Sequence, residues 1–167
     1  VFDTRAFPGD SAYFGIRRYP YSVEKNKNPL TYGHIADSAP LPTTAPVADS
    51  AQFTPNSEVH AAGEVWASMM FEAYVALFEE LQGEVPVHTF DEARRDMGDI
   101  IVSAMQLAPA DPTFTEMRDA LLAGALATHP EDAEVIASAF ARRGAGTCAL
   151  SPPRDSVDFE GVQEHGG

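Results

Sequence analysis

Cysteine, positive charge and long apolar runs are all scarce in this sequence. The single cysteine, Cys148, excludes an intrachain disulfide and a Cys-x-x-Cys zinc finger. No apolar run reaches the roughly 18 residues that a membrane-spanning helix needs. Lysine and arginine number 11 against 25 aspartates and glutamates, which gives a net charge of −14 and disfavours nucleic acid or an anionic membrane as a partner.

The acidic surface is typical of a soluble extracellular protein, which is the location we expect. A signal peptide is not recognisable. Because the chain begins with Val1 rather than methionine, we expect a processed product or a part of a longer chain.

Hydrophobic residues make up 44% of the chain, enough for a core, and proline is concentrated near the beginning. We therefore predict an extended, mostly irregular arm over residues 1–52, a helical bundle over 53–150 and a polar tail over 151–167. Within the arm, Tyr13–Ile16 suits either a short strand or the end of a helix.

Apolar residues recur at steps of three and four through the middle of the chain, a pattern that predicts helices. The predicted helices run from about Ser57 to Gln82, from the capping box Thr89/Glu92, from the capping box Thr113/Glu116, and from Pro130 to a stop at Gly144. On the second of these helices the predicted inward face is Ala93, Met97, Ile100, Ile101, Ala104 and Met105. The fold class is accordingly mainly α, a helical bundle.

Several short blocks follow one another in a specific order. They are Gly15-Ile-Arg-Arg-Tyr-Pro-Tyr-Ser22, Asn28-Pro-Leu-Thr-Tyr32, Val59-His-Ala-Ala-Gly-Glu-Val-Trp-Ala67, Pro112-Thr-Phe114, Arg118-Asp-Ala-Leu121 and Ala139-Phe-Ala-Arg-Arg-Gly-Ala-Gly146. Together they resemble the bacterial branch of the fungalysin metallopeptidases, relatives of thermolysin, and the resemblance extends from about Tyr13 to Val162. It implies that this chain is the C-terminal, helical half of the peptidase unit.

In that family the first half of the peptidase unit carries zinc on an H-E-x-x-H helix and a further glutamate. No H-E-x-x-H occurs here, so we expect no metal ligand in this chain. The resemblance implies zinc in the assembled enzyme, held by an N-terminal half upstream on the precursor or on a companion chain. The other histidines, His34, His88, His129 and His165, are expected to be solvated. The acidic stretch from Asp91 to Asp99 does not fit an EF-hand, so calcium is not predicted.

The resemblance also assigns candidate site residues. His60 matches the block whose histidine donates a hydrogen bond to the oxyanion of the transition state. Arg17 matches an arginine that binds a substrate backbone carbonyl, with Ile16 lining the pocket for an apolar residue after the cut. Arg18 is the alternative to Arg17.

The group that orients the imidazole of His60 stays open at this point. Relatives of thermolysin place an aspartate five residues before the histidine, where this sequence has Pro55. Glu64, one helical turn after His60, could take that role, as could Glu58 or a backbone carbonyl.

The predicted function is therefore the C-terminal half of a secreted zinc endopeptidase acting on polypeptides. By itself we expect the chain to be inactive and to expose apolar surface. The alternative is a non-catalytic helical interaction module or a pseudo-peptidase subunit. A third reading is a helical domain that binds an apolar ligand between its helices.

Overall fold

The computed structural model describes residues 11–48, 55–79 and 88–166, and within these ranges the chain is helical. The helices are α1 (Ser11–Phe14), α2 (Val59–Glu79), α3 (Phe90–Leu107), α4 (Phe114–Thr128) and α5 (Ala133–Arg142). Short 3-10 turns cover Tyr32–Ile35 and Pro130–Asp132, and the described part contains no β-strand beyond two isolated bridges. The mainly α prediction is confirmed. The predicted end of the long helix at Gln82 lies outside the described residues.

Two capping boxes begin α3 and α4 where the sequence predicts them. The hydroxyl of Thr89 accepts from the backbone N–H of Glu92 at 3.3 Å, and the Glu92 carboxylate accepts from the Thr89 N–H at 2.7 Å. Thr113 and Glu116 make the same reciprocal pair. Each exchange satisfies orphan N–H groups of a first turn. The hydrogen bonds from Thr89 and Thr113 lower the pKa of both glutamates below its ordinary value.

The core lies where α3 packs against α4 and α2 packs against α5. On α3 the buried face consists of Ala93, Met97, Ile100 and Ala104, spaced at three and four residues. The prediction for Met105 is wrong, because it lies one position beyond this stripe and its side chain is 60% exposed. No helix in the described ranges is both long and apolar enough to cross a membrane.

The proline-rich arm packs into this core rather than lying on the surface. Its apolar residues with no exposed surface are Tyr19, Leu30, Tyr32 and Ile35. The first element of the arm, α1, ends at Phe14, which resolves the two alternatives for Tyr13–Ile16 in favour of a helix end.

Arg143, directly after α5, holds the arm in place. Its fully buried guanidinium donates to the carbonyls of Ser22, Asn28 and Leu30 at 2.6, 2.7 and 2.9 Å. Its Nε also donates to the buried carboxylate of Glu72 on α2 at 2.8 Å. One cation therefore ties the arm to both α2 and α5.

The C-terminal tail returns to the arm. Glu164 accepts a hydrogen bond from the Gly33 N–H at 2.6 Å, and Glu160 accepts one from the Ser38 N–H at 2.7 Å. The carbonyl of Asp158 accepts from the Asp37 N–H at 3.0 Å. The tail thus adds hydrogen bonds along one side of the 3-10 turn at Tyr32–Ile35.

Candidate functional site

A buried ion pair fastens the Gly15–Ser22 segment to the beginning of α2. Nε of Arg18 donates to Oε2 of Glu64 at 2.8 Å, with 6% and 1% of the two side chains exposed. The other guanidinium nitrogens donate to Oδ1 of Asn56 at 2.6 Å and to the Ala61 carbonyl at 2.8 Å. Oε1 of Glu64 accepts the backbone N–H of Tyr19 at 2.8 Å. Both charges are therefore compensated by several hydrogen bonds, as buried charges require.

Arg18 is consequently a structural residue. Its guanidinium is directed into the protein and engaged by three partners, so it does not face a substrate cleft. Next to it, burial raises the pKa of Tyr19 to about 12, and the phenol donates to the Pro42 carbonyl at 2.6 Å. The packing of Arg18 and Tyr19 fixes the position of the residues that precede them.

Arg17 and His60 meet on the surface that this anchor creates. Nη1 of Arg17 donates to the backbone carbonyl of His60 at 3.2 Å, across 43 residues of sequence. Ile16, the neighbour of Arg17, is 48% exposed. The three residues assigned to the site from the sequence therefore lie close together, on two elements that are far apart in the chain.

The imidazole of His60 is 74% exposed at the first turn of α2, and it contacts Glu58. Nδ1 of His60 lies 2.8 Å from Oε1 of Glu58. Oε2 of Glu58 accepts the backbone N–H groups of His60 at 2.8 Å and of Ala61 at 3.3 Å. The hydrogen bond from His60 is the main cause that lowers the pKa of Glu58.

Because Glu58 is ionised near neutral pH, it is an acceptor only, and Nδ1 of His60 is the donor in this contact. Nε2 is then the nitrogen that can meet a substrate. The same carboxylate holds the imidazole and satisfies N–H groups at the helix N-terminus, so the ring orientation is tied to the beginning of α2.

The structure gives the orienting contact to Glu58 rather than to Glu64. Glu64 lies on the same helix one turn later, but both of its carboxylate oxygens are occupied by Arg18 and Tyr19. Its side chain points to the buried side of α2, whereas His60 points outward. Among the alternatives named from the sequence, Glu58 is the one the geometry supports.

An apolar groove of about 360 Å³ opens beside His60. Its lining includes Val59, Ala62, Gly63, Trp66, Phe114 and Met117. Val59, the residue before His60, is 76% exposed. Apolar surface thus continues from the groove to the edge of the Arg17–His60 pair.

The expectation that the remaining histidines are solvated holds for only some of them. His165 is exposed, whereas His34 is half-buried and its Nδ1 accepts the Thr31 N–H at 2.9 Å. Burial lowers the pKa of His34. His88 is half-buried between Asp96 and Asp132, with 12% of its side chain exposed, so the prediction that it is solvated is wrong.

Comparisons with known proteins agree on one family. The family model of fungalysin metallopeptidases (M36) matches residues 6–149. The chain is 32% identical over 150 residues to an extracellular metalloproteinase of Aspergillus fumigatus, a match that covers 86% of this chain and 21% of the relative. It is 31% identical over 150 residues to an extracellular metalloproteinase of Neosartorya fischeri, with the same coverage.

A third relative is extracellular metalloproteinase 1 of Arthroderma otae, 31% identical over 153 residues, covering 86% of this chain and 21% of the relative. The chain spans about a fifth of the length of the curated relatives it matches. These relatives are fungal, so they do not support the assignment to a bacterial branch.

Proposed function

The chain belongs to the fungalysin metallopeptidase family, and on that premise we propose that it is the C-terminal half of the peptidase unit of a secreted zinc endopeptidase. A companion half, upstream on the same precursor or on a separate chain, would complete the enzyme. This chain would form one wall of the cleft. The substrates would be extended polypeptides with an apolar residue after the cleaved bond.

The observation that carries the proposal is the hydrogen bond between Arg17 and His60. It joins the Arg17 guanidinium to the backbone carbonyl of His60, although 43 residues separate the two in sequence. A guanidinium has five N–H donors in a planar fork, so Arg17 keeps donors for a substrate carbonyl while one binds the His60 carbonyl. Exposed Ile16 beside it supplies apolar surface for the residue after the cut.

The pair of His60 and Glu58 suits a transition state in which negative charge develops on oxygen. When water adds to a peptide carbonyl, that oxygen becomes an oxyanion, and Nε2–H of a protonated His60 can donate to it. Nδ1–H stays hydrogen-bonded to the Glu58 carboxylate, which holds the ring and leaves Nε2 for the substrate. The donor therefore binds the transition state more strongly than the neutral carbonyl of the substrate.

The catalytic zinc of the family does not fit residues of this chain. The H-E-x-x-H motif that binds it is absent from the sequence. We assign that metal to the companion half, where it would activate the attacking water. The role left to this chain is to bind substrate and to stabilise the oxyanion.

The apolar groove beside His60 supports the proposal that another polypeptide covers this surface in the complete enzyme. Val59 and Ile16 are 76% and 48% exposed, and both adjoin the candidate site residues. Covering them with the companion half or with substrate would exclude water, and hydrogen bonds to a developing charge strengthen in a drier site.

Replacement of His60 by alanine in the complete protein tests the proposal. We expect turnover of a peptide substrate to fall by about 10²–10³-fold, the loss typical of one oxyanion donor. The temperature of unfolding should stay the same, because the side chain is largely exposed. Unaltered turnover would remove His60 from the mechanism and favour a non-catalytic helical module.

Replacement of Arg17 by lysine tests the substrate-binding role. Lysine keeps the charge but loses the planar fork, so KM should rise more than kcat falls. The matched control is Arg94→Lys, at an arginine whose side chain is 62% exposed on α3. An equal response of the two variants would contradict the assignment of Arg17.

A further inference from the structure

A group of side chains that could bind a metal ion lies between α3 and the turn that leads into α5. Nε2 of His88 is 2.8 Å from Oδ1 of Asp132, and its Nδ1 is 3.3 Å from Oδ2 of Asp96. One ligand atom from each of the three residues lies within 4.8 Å of the others. The ring of His129 adjoins them, with Nε2 at 3.9 Å from Oδ1 of Asp96.

The second carboxylate oxygen of Asp132 has no hydrogen-bond partner in the described part of the chain. Oδ2 is buried, and only 3% of the residue is exposed. Asp132 stands at the N-cap position of α5, yet its side chain makes no capping hydrogen bond. A buried carboxylate oxygen without a donor is costly, and buried carboxylates are normally paired with cations or bound to metal ions.

The charges of the cluster point to a missing cation. The His129 ring is 3.9 Å from Asp96, and the two carboxylates share the half-buried imidazole of His88, which offers at most two N–H donors and one positive charge. Both nitrogens of that ring already contact Asp96 and Asp132, so His88 cannot also satisfy Oδ2 of Asp132. Backbone capping does not satisfy it either.

We propose that His88, Asp96 and Asp132 bind a divalent transition-metal cation, with Zn²⁺ as the best match. One imidazole nitrogen with carboxylate oxygens is a ligand set that zinc accepts, whereas calcium and magnesium prefer oxygen alone. In a metal site of this kind the other imidazole nitrogen donates to a carboxylate and orients the ring. The cation would cross-link the beginning of α3 to the beginning of α5.

The proposal of this site does not depend on the proposed peptidase function. Its ligands are on this chain and none belongs to an H-E-x-x-H motif. The role that follows from its position is structural, since Asp132 immediately precedes α5 and Asp96 lies in the second turn of α3.

Metal content is the direct test. The complete protein is stripped with a chelator, dialysed against ZnCl₂ and analysed for zinc per chain. Asp132→Asn and Asp96→Asn are compared with Asp99→Asn, an exposed aspartate on the same helix as Asp96. We expect each ligand variant to bind one equivalent of zinc fewer than the wild type, and the control to bind the same amount as the wild type.

Thermal unfolding provides a second readout on the same proteins. Added Zn²⁺ should raise the Tm of the stripped wild type and of Asp99→Asn by the same amount, and should raise that of Asp132→Asn by less, because only the catalytic zinc rebinds there. The isosteric asparagine removes the unpaired buried charge, so this variant is expected to fold. Equal zinc content in all four proteins, or the same response of Tm in all four, overturns the proposal.

Discussion

Arg18 and Glu64 form a buried ion pair, 2.8 Å from Nε to Oε2, between residues that are 46 positions apart in sequence. The pair decides where Arg17 and Ile16 lie, because both directly precede Arg18. The position of these surface residues thus depends on charges inside the protein.

Replacement of Glu64 by alanine should destabilise the fold by about 3–5 kcal/mol, since it leaves the Arg18 guanidinium buried and uncompensated. Chemical denaturation of the two proteins measures this difference. The double variant Arg18→Met with Glu64→Leu should recover much of the loss, because two apolar side chains leave no buried charge. A loss below about 1 kcal/mol in the single variant would mean that the pair is solvated.

Arg142 and Arg143 contact the same glutamate, so the losses of stability on replacing each of them can be compared directly. Both donate to Glu72, but Arg143 is fully buried and the Arg142 side chain is 48% exposed. We expect Arg143→Met to cost about 3–5 kcal/mol of unfolding free energy and Arg142→Met less than about 1 kcal/mol. Urea denaturation would separate the two, and similar costs would contradict the role of Arg143 as the anchor of the arm.

Gly144 combines a left-handed backbone with a close neighbour. Its φ is 81°, and a Cβ atom would lie 2.6 Å from Oε1 of Glu164. Gly161 has a similar φ of 87° and nothing within 4 Å of a Cβ. Gly161→Ala should therefore cost only the backbone strain, about 1–2 kcal/mol.

Gly144→Ala should cost more than Gly161→Ala, because it also displaces Glu164 from the Gly33 N–H. Thermal unfolding of the two variants gives the comparison directly. Equal losses would show that the tail adds nothing at this position.

His34 should make stability fall on acidification. Its pKa in the folded protein is lowered from 6.5, mainly by burial, so the unfolded chain binds the proton more readily. The contribution is present above pH 6.5 and is lost as the pH falls toward the lowered folded-state value. Protonation also removes the acceptor for the Thr31 N–H.

The variant His34→Gln does not titrate, so its Tm should depend less on pH over that interval. Melting curves at a series of pH values measure the slope for both proteins. Glu92 and Glu116, whose pKa values are also shifted, affect the pH dependence of stability equally in the two proteins. Identical slopes would contradict the assignment.

Glu58 should affect catalysis through His60. In the complete protein, Glu58→Gln keeps one acceptor oxygen for the backbone N–H groups but removes the negative charge that contacts Nδ1 of His60. A charge-assisted hydrogen bond contributes about 1.5–3 kcal/mol, so kcat should fall roughly 10- to 100-fold. A kcat equal to that of the wild type would exclude the role.

The beginnings of the helices were predictable because their signals are local. Thr89 with Glu92 and Thr113 with Glu116 form capping boxes within four residues, and the stripe on α3 follows from helical spacing. Met105 was placed wrongly because the apolar pattern is wider than the face that the core can cover.

Long-range charge pairs leave no such local pattern. Nothing near Arg143 in the sequence indicates Glu72 or the carbonyl of Ser22, 121 residues away. The same holds for His88, whose partner Asp132 is 44 residues away. Glu58 was among the alternatives from the sequence, because an acidic residue just before a helix start commonly accepts its first N–H groups.

The hydrogen bonds of Glu160 and Glu164 extend the folding unit past the last residue that the family model matches, Ala149. A recombinant fragment cut at that boundary would lose the acceptors for Ser38 and Gly33. It would begin to unravel at the turn beside Tyr32, which packs against α2. Expression boundaries for this chain should therefore include residues through 166.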